Sequence, residues 1–186
     1  MYQHLRVNFG RVKLCTADVV IALQTINHHT HRLSHLTFIQ FSGNALLDME
    51  IAELMASVEE PGLYVLDYVP NASAESIDEI GEQFFRVIRD AHPDVPVIFV
   101  EDPVFPHSAY DNAIRKEIAE KNASQKRLFA RLRKAGEKRI YYVGAEGMIG
   151  DDGEATVDGI HFTDLGAMRY VEHLLPVVKK ALRKSE

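Results

Sequence analysis

The run Leu63-Tyr64-Val65-Leu66-Asp67-Tyr68-Val69-Pro70-Asn71 joins an apolar segment to a polar turn. Consecutive apolar residues such as Leu63–Leu66 are typical of a strand buried on both faces, and Pro70-Asn71 marks a turn. From Ser73 or Ala74 onward, the apolar residues recur at helical spacing. A strand, a turn and a helix form the repeating unit of a parallel sheet that helices cover on both faces.

The same unit recurs on both sides of this run. Strands are predicted at Leu36–Phe41, Val97–Val100 and Ile140–Val143, because each is an apolar run bounded by turn residues. Helices are predicted between the strands and after the last one, and a further helix is predicted from Ala17 to Leu33. We therefore expect a three-layer, flavodoxin-like α/β fold with a parallel sheet, and residues 1–186 in a single domain.

Polar residues follow each of these strands. In open parallel sheets, ligands bind beyond the carboxyl ends of the strands. Gly43, Asn71, Asp102 and the turn Asp158-Gly159-Ile160-His161 all come after strands, so we expect them to share one rim. Two of them have simpler interpretations, since an asparagine before a helix can cap it and an Asp-Pro pair can brace a loop. The sequence leaves both alternatives open.

The pair Asp158 and His161 has the spacing of a hydrolytic base and its partner. Within a turn, the carboxylate can hold one ring nitrogen of the imidazole while the other nitrogen faces a cleft and takes a proton. The apolar pattern from Met168 to Leu182 predicts a helix directly after this turn. An isolated Asp-x-x-His is equally typical of a surface ion pair, so the assignment depends on the neighbouring rim residues.

Composition excludes several classes of protein. The net charge of −6 offers no basic surplus for nucleic acid, and 46% hydrophobic residues are typical of a globular protein. No apolar run approaches the ~20 residues that span a bilayer, and Val19–Leu23 is too short for a signal-peptide core. As written, the sequence predicts a cytoplasmic protein; a longer natural N-terminus would allow secretion or a periplasmic location. The single cysteine, Cys15, excludes an internal disulfide.

A cluster of histidines suggests a metal site as an alternative. The cluster consists of His28, His29, His31 and His35, and two pairs within it have helical ligand spacing. No carboxylate or cysteine accompanies them, which favours a solvated helix face. We expect no metal and no cofactor.

Three blocks of the sequence together resemble the SGNH (GDSL-like) hydrolases. They are Phe41-Ser42-Gly43-Asn44, Leu66-Asp67-Tyr68-Val69-Pro70-Asn71 and Asp158-Gly159-Ile160-His161, and Val100-Glu101-Asp102-Pro103 is similar to the same branch. Each block alone is a weak signal, but their order and their positions after strands make the combination more specific. The likeness extends from Leu36 to the C-terminus.

The resemblance implies a role for each matched residue. Gly43 would donate its backbone N–H to the oxyanion, and Asn71 would donate its side-chain amide to the same oxygen. His161 would be the general base, oriented by Asp158. The implied reaction transfers an acyl group from a small-molecule or carbohydrate ester to a serine and then to water, without a metal or cofactor.

The family's nucleophilic serine has no counterpart here. By spacing it belongs between Gly10 and Thr16, but no serine precedes Ser34, and the weak candidates are Cys15 and Ser42. Three explanations stand: residues 1–35 replace the family's opening through a frameshift or truncated gene, the protein is an inactive relative that binds an acylated ligand or partner, or another residue is the nucleophile. We expect the first, and hence an ester hydrolase, with the inactive binding protein as the alternative.

Overall fold

The computed structural model of the protein describes residues 19–24, 35–40 and 46–183. Within these ranges, side chains are described for residues 46–183 and the backbone alone for the two strands before them. In chain order the elements are β1 (Val19–Gln24), β2 (His35–Gln40), α1 (Met49–Ala56), β3 (Pro61–Asp67), α2 (Ala74–Ala91), β4 (Val97–Val100), a 3-10 turn (Pro106–Ala109), α3 (Asn112–Lys134), β5 (Ile140–Val143) and α4 (Asp164–Leu182).

The described strands form one sheet in the order β2-β1-β3-β4-β5. Strands β3, β4 and β5 are parallel, whereas β1 is antiparallel to both of its neighbours. Because Val19 pairs with Gln40 on one side and with Asp67 on the other, β2 runs in the same direction as β3. Strands β2 to β5 therefore end at the same edge of the sheet, which we call the carboxyl edge.

The segment around β1 departs from the sequence prediction in two ways. The helix predicted from Ala17 to Leu33 is wrong at Val19–Gln24, which is a strand, and that strand is antiparallel in a sheet expected to be wholly parallel. Val19, Val20 and Ile21 are β-branched, which favours a strand, and β1 gains backbone hydrogen bonds on both sides. Residues 25–34 lie outside the described part of the chain.

Apolar side chains pack on both faces of β3, β4 and β5, as the α/β prediction requires. Along β3, Tyr64 and Leu66 pack on the side of α1, α2 and α3, while Leu63 and Val65 pack against α4. All four are at most 2% exposed. This burial on both faces explains why the strands read as continuous apolar runs. Within the described residues, no helix is both long and apolar enough to cross a membrane.

Candidate active site

Asp158 and His161 lie in a tight turn at the tip of a short hairpin. Thr156 and Phe162 form an antiparallel bridge, and the backbone N–H of Val157 donates to the carbonyl of His161 at 2.8 Å. Gly159 turns the chain at φ +94°, a conformation that residues with a Cβ rarely adopt. The hairpin thus brings Asp158 and His161 face to face three residues apart.

The Asp158 carboxylate holds His161 through both of its oxygens. Oδ2 lies 2.6 Å from the ring Nδ1, and Oδ1 accepts the backbone N–H of His161 at 2.8 Å and that of Ile160 at 3.0 Å. The His161 ring is the largest of the causes that lower the pKa of Asp158 to about 2. The carboxylate is therefore ionised at neutral pH. Both side chains are about half exposed, at 55% for His161 and 52% for Asp158.

The start of α4 fixes the hairpin in place. Thr163 caps the helix, since its Oγ1 accepts the N–H of Gly166 at 3.1 Å and donates to the carbonyl of Glu154 at 2.8 Å. Its own N–H donates to the carbonyl of Ala155 at 2.9 Å. Gly166 lies so close to Ala155 that a Cβ at this position would be 2.0 Å from the Ala155 oxygen. The orientation of α4 therefore determines where His161 lies.

Asn71 lies in the turn after β3 and does not cap the following helix. Ser73 is the cap of α2, because its Oγ accepts the N–H of Ser76 at 3.0 Å, so the capping interpretation of Asn71 is wrong. The backbone N–H of Asn71 donates to Tyr68 at 3.0 Å. Its side-chain Nδ2 is buried and has no hydrogen-bond partner in the part of the chain that the structure describes. A buried donor without a partner costs stability, and native proteins retain few of them.

Asp102 lies at the end of β4 and is also buried, at 3% exposure. Its backbone N–H and C=O bond the Asn122 side chain at 2.8 and 2.9 Å, so Asn122 braces this loop. The carboxyl Oδ1 of Asp102 is buried without a partner among the described residues. Burial raises the pKa of Asp102 to about 7, despite the opposing charge of Lys121. The Lys121 ammonium donates to the Pro70 carbonyl at 3.1 Å, beside Asn71.

The described candidate residues share the carboxyl edge. Asn71 follows β3, Asp102 follows β4, and His161 lies in the loop after β5. Two of the predicted residues, Gly43 and Ser42, follow β2 but lie outside the described residues. Cys15 does so as well, and the structure does not test any of these three.

His107 adjoins the hairpin, and no motif of the sequence marks it. It belongs to the 3-10 turn after β4, its ring stacks on Phe105, and its Nδ1 would lie 3.0 Å from a Cβ at Gly159. A lone histidine in a loop carries no spacing signal, and this contact depends on how two distant loops pack. His107 thus flanks the Asp158–His161 pair.

Most of the histidine cluster that was considered as a metal site lies outside the described residues. His28, His29 and His31 are not described, and His35 begins strand β2 rather than lying in a helix. Within the described ranges, no group of three or more histidine, cysteine, aspartate or glutamate residues is arranged to hold a metal ion.

The profile of the GDSL-like lipase/acylhydrolase family matches residues 28–179. The chain belongs to this family. The GDSL-like match begins after Cys15 and includes Ser42, Asn71, Asp158 and His161. None of the proteins with curated descriptions matches the chain.

Two solved structures extend the comparison. A Bacteroides ovatus protein assigned as a GDSL-like lipase is similar to this GDSL-like chain with a TM-score of 0.72 and 29% identity, covering 75% of the chain and 41% of that protein. The salicylyl-acyltransferase SsfX3 of a tetracycline biosynthetic pathway is similar with a TM-score of 0.63 and 17% identity, covering 73% of the chain and 42% of SsfX3. The second likeness shows the fold alone. The chain thus spans about two fifths of the length of each structure.

Proposed function

We propose that the protein hydrolyses esters by acyl transfer, with short acyl groups such as acetyl, on a small-molecule or carbohydrate substrate. The observation that carries the proposal is the His161 ring, held by Asp158 at the same sheet edge as the unpaired amide of Asn71. Acyl transfer requires a base and a donor that stabilises the anion near one carbonyl, and His161 and Asn71 are proposed for these two roles.

Each residue acts at a defined atom. The Nδ1 of His161 is engaged by Asp158 at 2.6 Å, which leaves Nε2 to take a proton from the attacking group and return it to the leaving alcohol. The Asn71 Nδ2–H donates to the oxygen that becomes negative when the ester carbonyl is attacked. Gly43 is proposed as the second donor through its backbone N–H.

The attacking group is a side chain or a water molecule. No hydroxyl or thiol of residues 46–183 hydrogen-bonds to the His161 ring. Cys15 and Ser42 stay the candidates for a covalent nucleophile. A water molecule deprotonated by His161 would complete the same reaction in one step, without an acyl-enzyme.

Hydrolysis of a chromogenic acetyl ester tests the proposal. Wild type is expected to turn over the ester, and His161→Ala is expected to lose about 10²–10⁴-fold in rate, the usual contribution of a general base. His92→Ala is the matched control, because His92 caps the far end of α2 and bonds the Ala56 carbonyl at 2.8 Å. Equal rates for wild type and His161→Ala would refute the proposal.

The alternative function is an inactive relative that binds an acylated ligand or partner. The absence of a serine before Ser34, where the family's nucleophile is expected, favours it. Labelling with a fluorophosphonate and mapping of the adduct separates the two. An adduct on Cys15 or Ser42 that disappears in His161→Ala excludes the inactive protein, whereas no adduct and no turnover support it.

A further inference from the structure

His161, the proposed base, and Asn71, the proposed oxyanion donor, are held by two different elements, the helix α4 and the strand β3. His161 precedes α4 by three residues and is fixed to it by the Thr163 cap. Asn71 follows β3 by four residues and is held by its N–H bond to Tyr68. Catalysis by both on one carbonyl therefore requires that α4 and the end of β3 keep a constant spacing, because misplacement by about 1 Å can cost 10²-fold in rate.

Tyr170 contacts one residue near His161 and one residue near Asn71, namely Phe162 and Asp67. It lies in the second turn of α4, and its hydroxyl donates to Oδ2 of Asp67, the last residue of β3, at 2.5 Å. Its ring also packs on Phe162, the residue after His161, with centroids 5.5 Å apart. Tyr170 is 8% exposed.

The chemistry of this bond favours a fixed length. Burial, followed by the charge of Asp67, raises the pKa of Tyr170 well above its usual value, so the hydroxyl keeps its proton and donates it. A hydroxyl bonded to a carboxylate is among the shorter and stronger hydrogen bonds in proteins. Apolar packing of α4 on the sheet has no such directional preference.

We propose that Tyr170 is a positioning residue: through its bond to Asp67 and its contact with Phe162, it sets the spacing between the His161 imidazole and the Asn71 carboxamide. This inference rests on the proposed function for its catalytic meaning, but the spacing itself is a property of the folded protein. Nothing in the sequence motifs singles out Tyr170.

The test compares Tyr170→Phe with Tyr64→Phe by NMR of the histidine ring and asparagine side-chain amide signals, assigned with His161→Ala and Asn71→Ala. Tyr64 is the matched control, since its buried hydroxyl donates to the Met55 carbonyl at 2.8 Å on the other face of the sheet. Tyr170→Phe is expected to shift the signals of both His161 and Asn71, and Tyr64→Phe to shift neither. A change in only one of the two signals, or in neither, overturns the proposal.

A second variant removes the acceptor instead of the donor. Asp67→Ala is expected to reproduce the same two shifts, and adding Tyr170→Phe to it is expected to change them little, because the hydrogen bond between the two residues is already broken. Fully additive shifts contradict a shared bond. These readouts need no turnover, so they hold even if the chain is inactive.

Kinetics then link the spacing to the reaction. If the acetyl ester is hydrolysed, Tyr170→Phe is expected to lower kcat by about tenfold with little change in KM, because the interaction lost operates in the transition state. The effect of Tyr170→Phe on kcat should largely vanish in an Asn71→Ala background, because that variant has no side-chain amide left to position against His161. An unchanged loss in that background assigns Tyr170 a structural role only, and a wild type without turnover refutes the proposed function but leaves the NMR result standing.

Discussion

Asn71 and Asn122 both lie near the carboxyl edge with buried amides, yet they differ in hydrogen bonding. Asn122 bonds the N–H and the C=O of Asp102, whereas the Asn71 Nδ2 has no partner among the described residues. A buried, unpaired donor lowers stability in the free protein and is available to a ligand. Among residues of the same type, this contrast separates the one that holds the fold from the one proposed to contact substrate.

Substitution of the two asparagines should give opposite results. Asn71→Ala is expected to lower kcat by about 10²–10³-fold, the usual cost of losing one oxyanion donor. Its thermal midpoint is expected to stay the same or to rise, because the substitution removes an unsatisfied group. Asn122→Ala should melt at lower temperature, since it leaves two backbone groups of Asp102 unpaired. A cooler midpoint for Asn71→Ala together with full activity would contradict this assignment.

Asp158 is expected to matter for turnover and little for stability. The pair with His161 is half exposed, and exposed ion pairs contribute little to folding. Asp158→Asn should nevertheless reduce kcat by about 10⁴-fold, because an amide no longer holds the imidazole in the productive tautomer. Asp78→Asn is the control, since Asp78 pairs with Arg127 at 2.5 Å between α2 and α3. Equal losses of kcat in the two variants at neutral pH would argue against a catalytic role for the Asp158–His161 pair.

At the scale of elements, α4 is the helix on which the proposed site depends. It begins at the Thr163 cap, carries Tyr170 against Asp67, and packs on the face of the sheet formed by Leu63 and Val65. Its close approach to the hairpin at Gly166 leaves no room for a side chain. A change at this contact should therefore act on His161 through the backbone.

Gly166→Ala tests that contact. The new Cβ would lie 2.0 Å from the Ala155 oxygen, so the hairpin or the first turn of α4 must shift. We expect a lower thermal midpoint and a large loss of kcat. Gly144→Ala is the control, because its Cβ would meet the Glu101 carboxylate at an ordinary 3.7 Å. Retained activity in Gly166→Ala with a normal midpoint would show that the hairpin adjusts without moving His161.

The elements differ in how well the sequence predicts them. Strands β3, β4 and β5 are apolar runs between turn signals, and α3 ends shortly before Gly136, which lies at φ +91°. The apolar residues of β1 are also compatible with a helix, and this segment is a strand because its backbone pairs with β2 and β3. Tyr170 and Asp67 are 103 residues apart, so no local pattern reveals their bond. Local signals predict elements and motif residues, whereas contacts between loops require the folded chain.

At the scale of the whole molecule, covering both faces of the sheet places carboxyl groups where water is scarce. Asp67 is the last residue of β3, and Asp102 lies two residues after the end of the adjacent β4. The charge of Lys121 lowers the pKa of Asp102, whereas the charges of Asp67 and Glu117 raise it, and both aspartates raise the pKa of Tyr170. Asp67 gains a hydrogen bond from Tyr170 at 2.5 Å. Asp102 has its Oδ1 buried without a partner among the described residues, and therefore the fold favours its protonated form.

This raised pKa predicts how stability depends on pH. The pKa of Asp102 is about 7 in the folded protein, against an ordinary 3.8 in the unfolded chain. Below pH ~4 Asp102 is protonated in both the folded protein and the unfolded chain, so it has no effect on stability. Between pH ~4 and ~7 the unfolded chain loses this proton while the folded protein keeps it, so the free energy of unfolding falls as pH rises. At about 1.4 kcal/mol per pKa unit, the penalty above pH 7 is on the order of 4 kcal/mol.

Asp102→Asn removes the titration while preserving the shape of the side chain. Chemical denaturation from pH 4 to pH 8 is expected to show wild type losing free energy of unfolding relative to the variant, so that the variant is the more stable protein at pH 8. Asp78→Asn is the control, since the pKa of Asp78 is lowered, mainly by its hydrogen bond to Arg127, and its contribution is lost only as pH falls toward acid. Parallel curves for wild type and Asp102→Asn would mean that the buried carboxyl is ionised in the folded protein and that a cation, such as the nearby Lys121, compensates it.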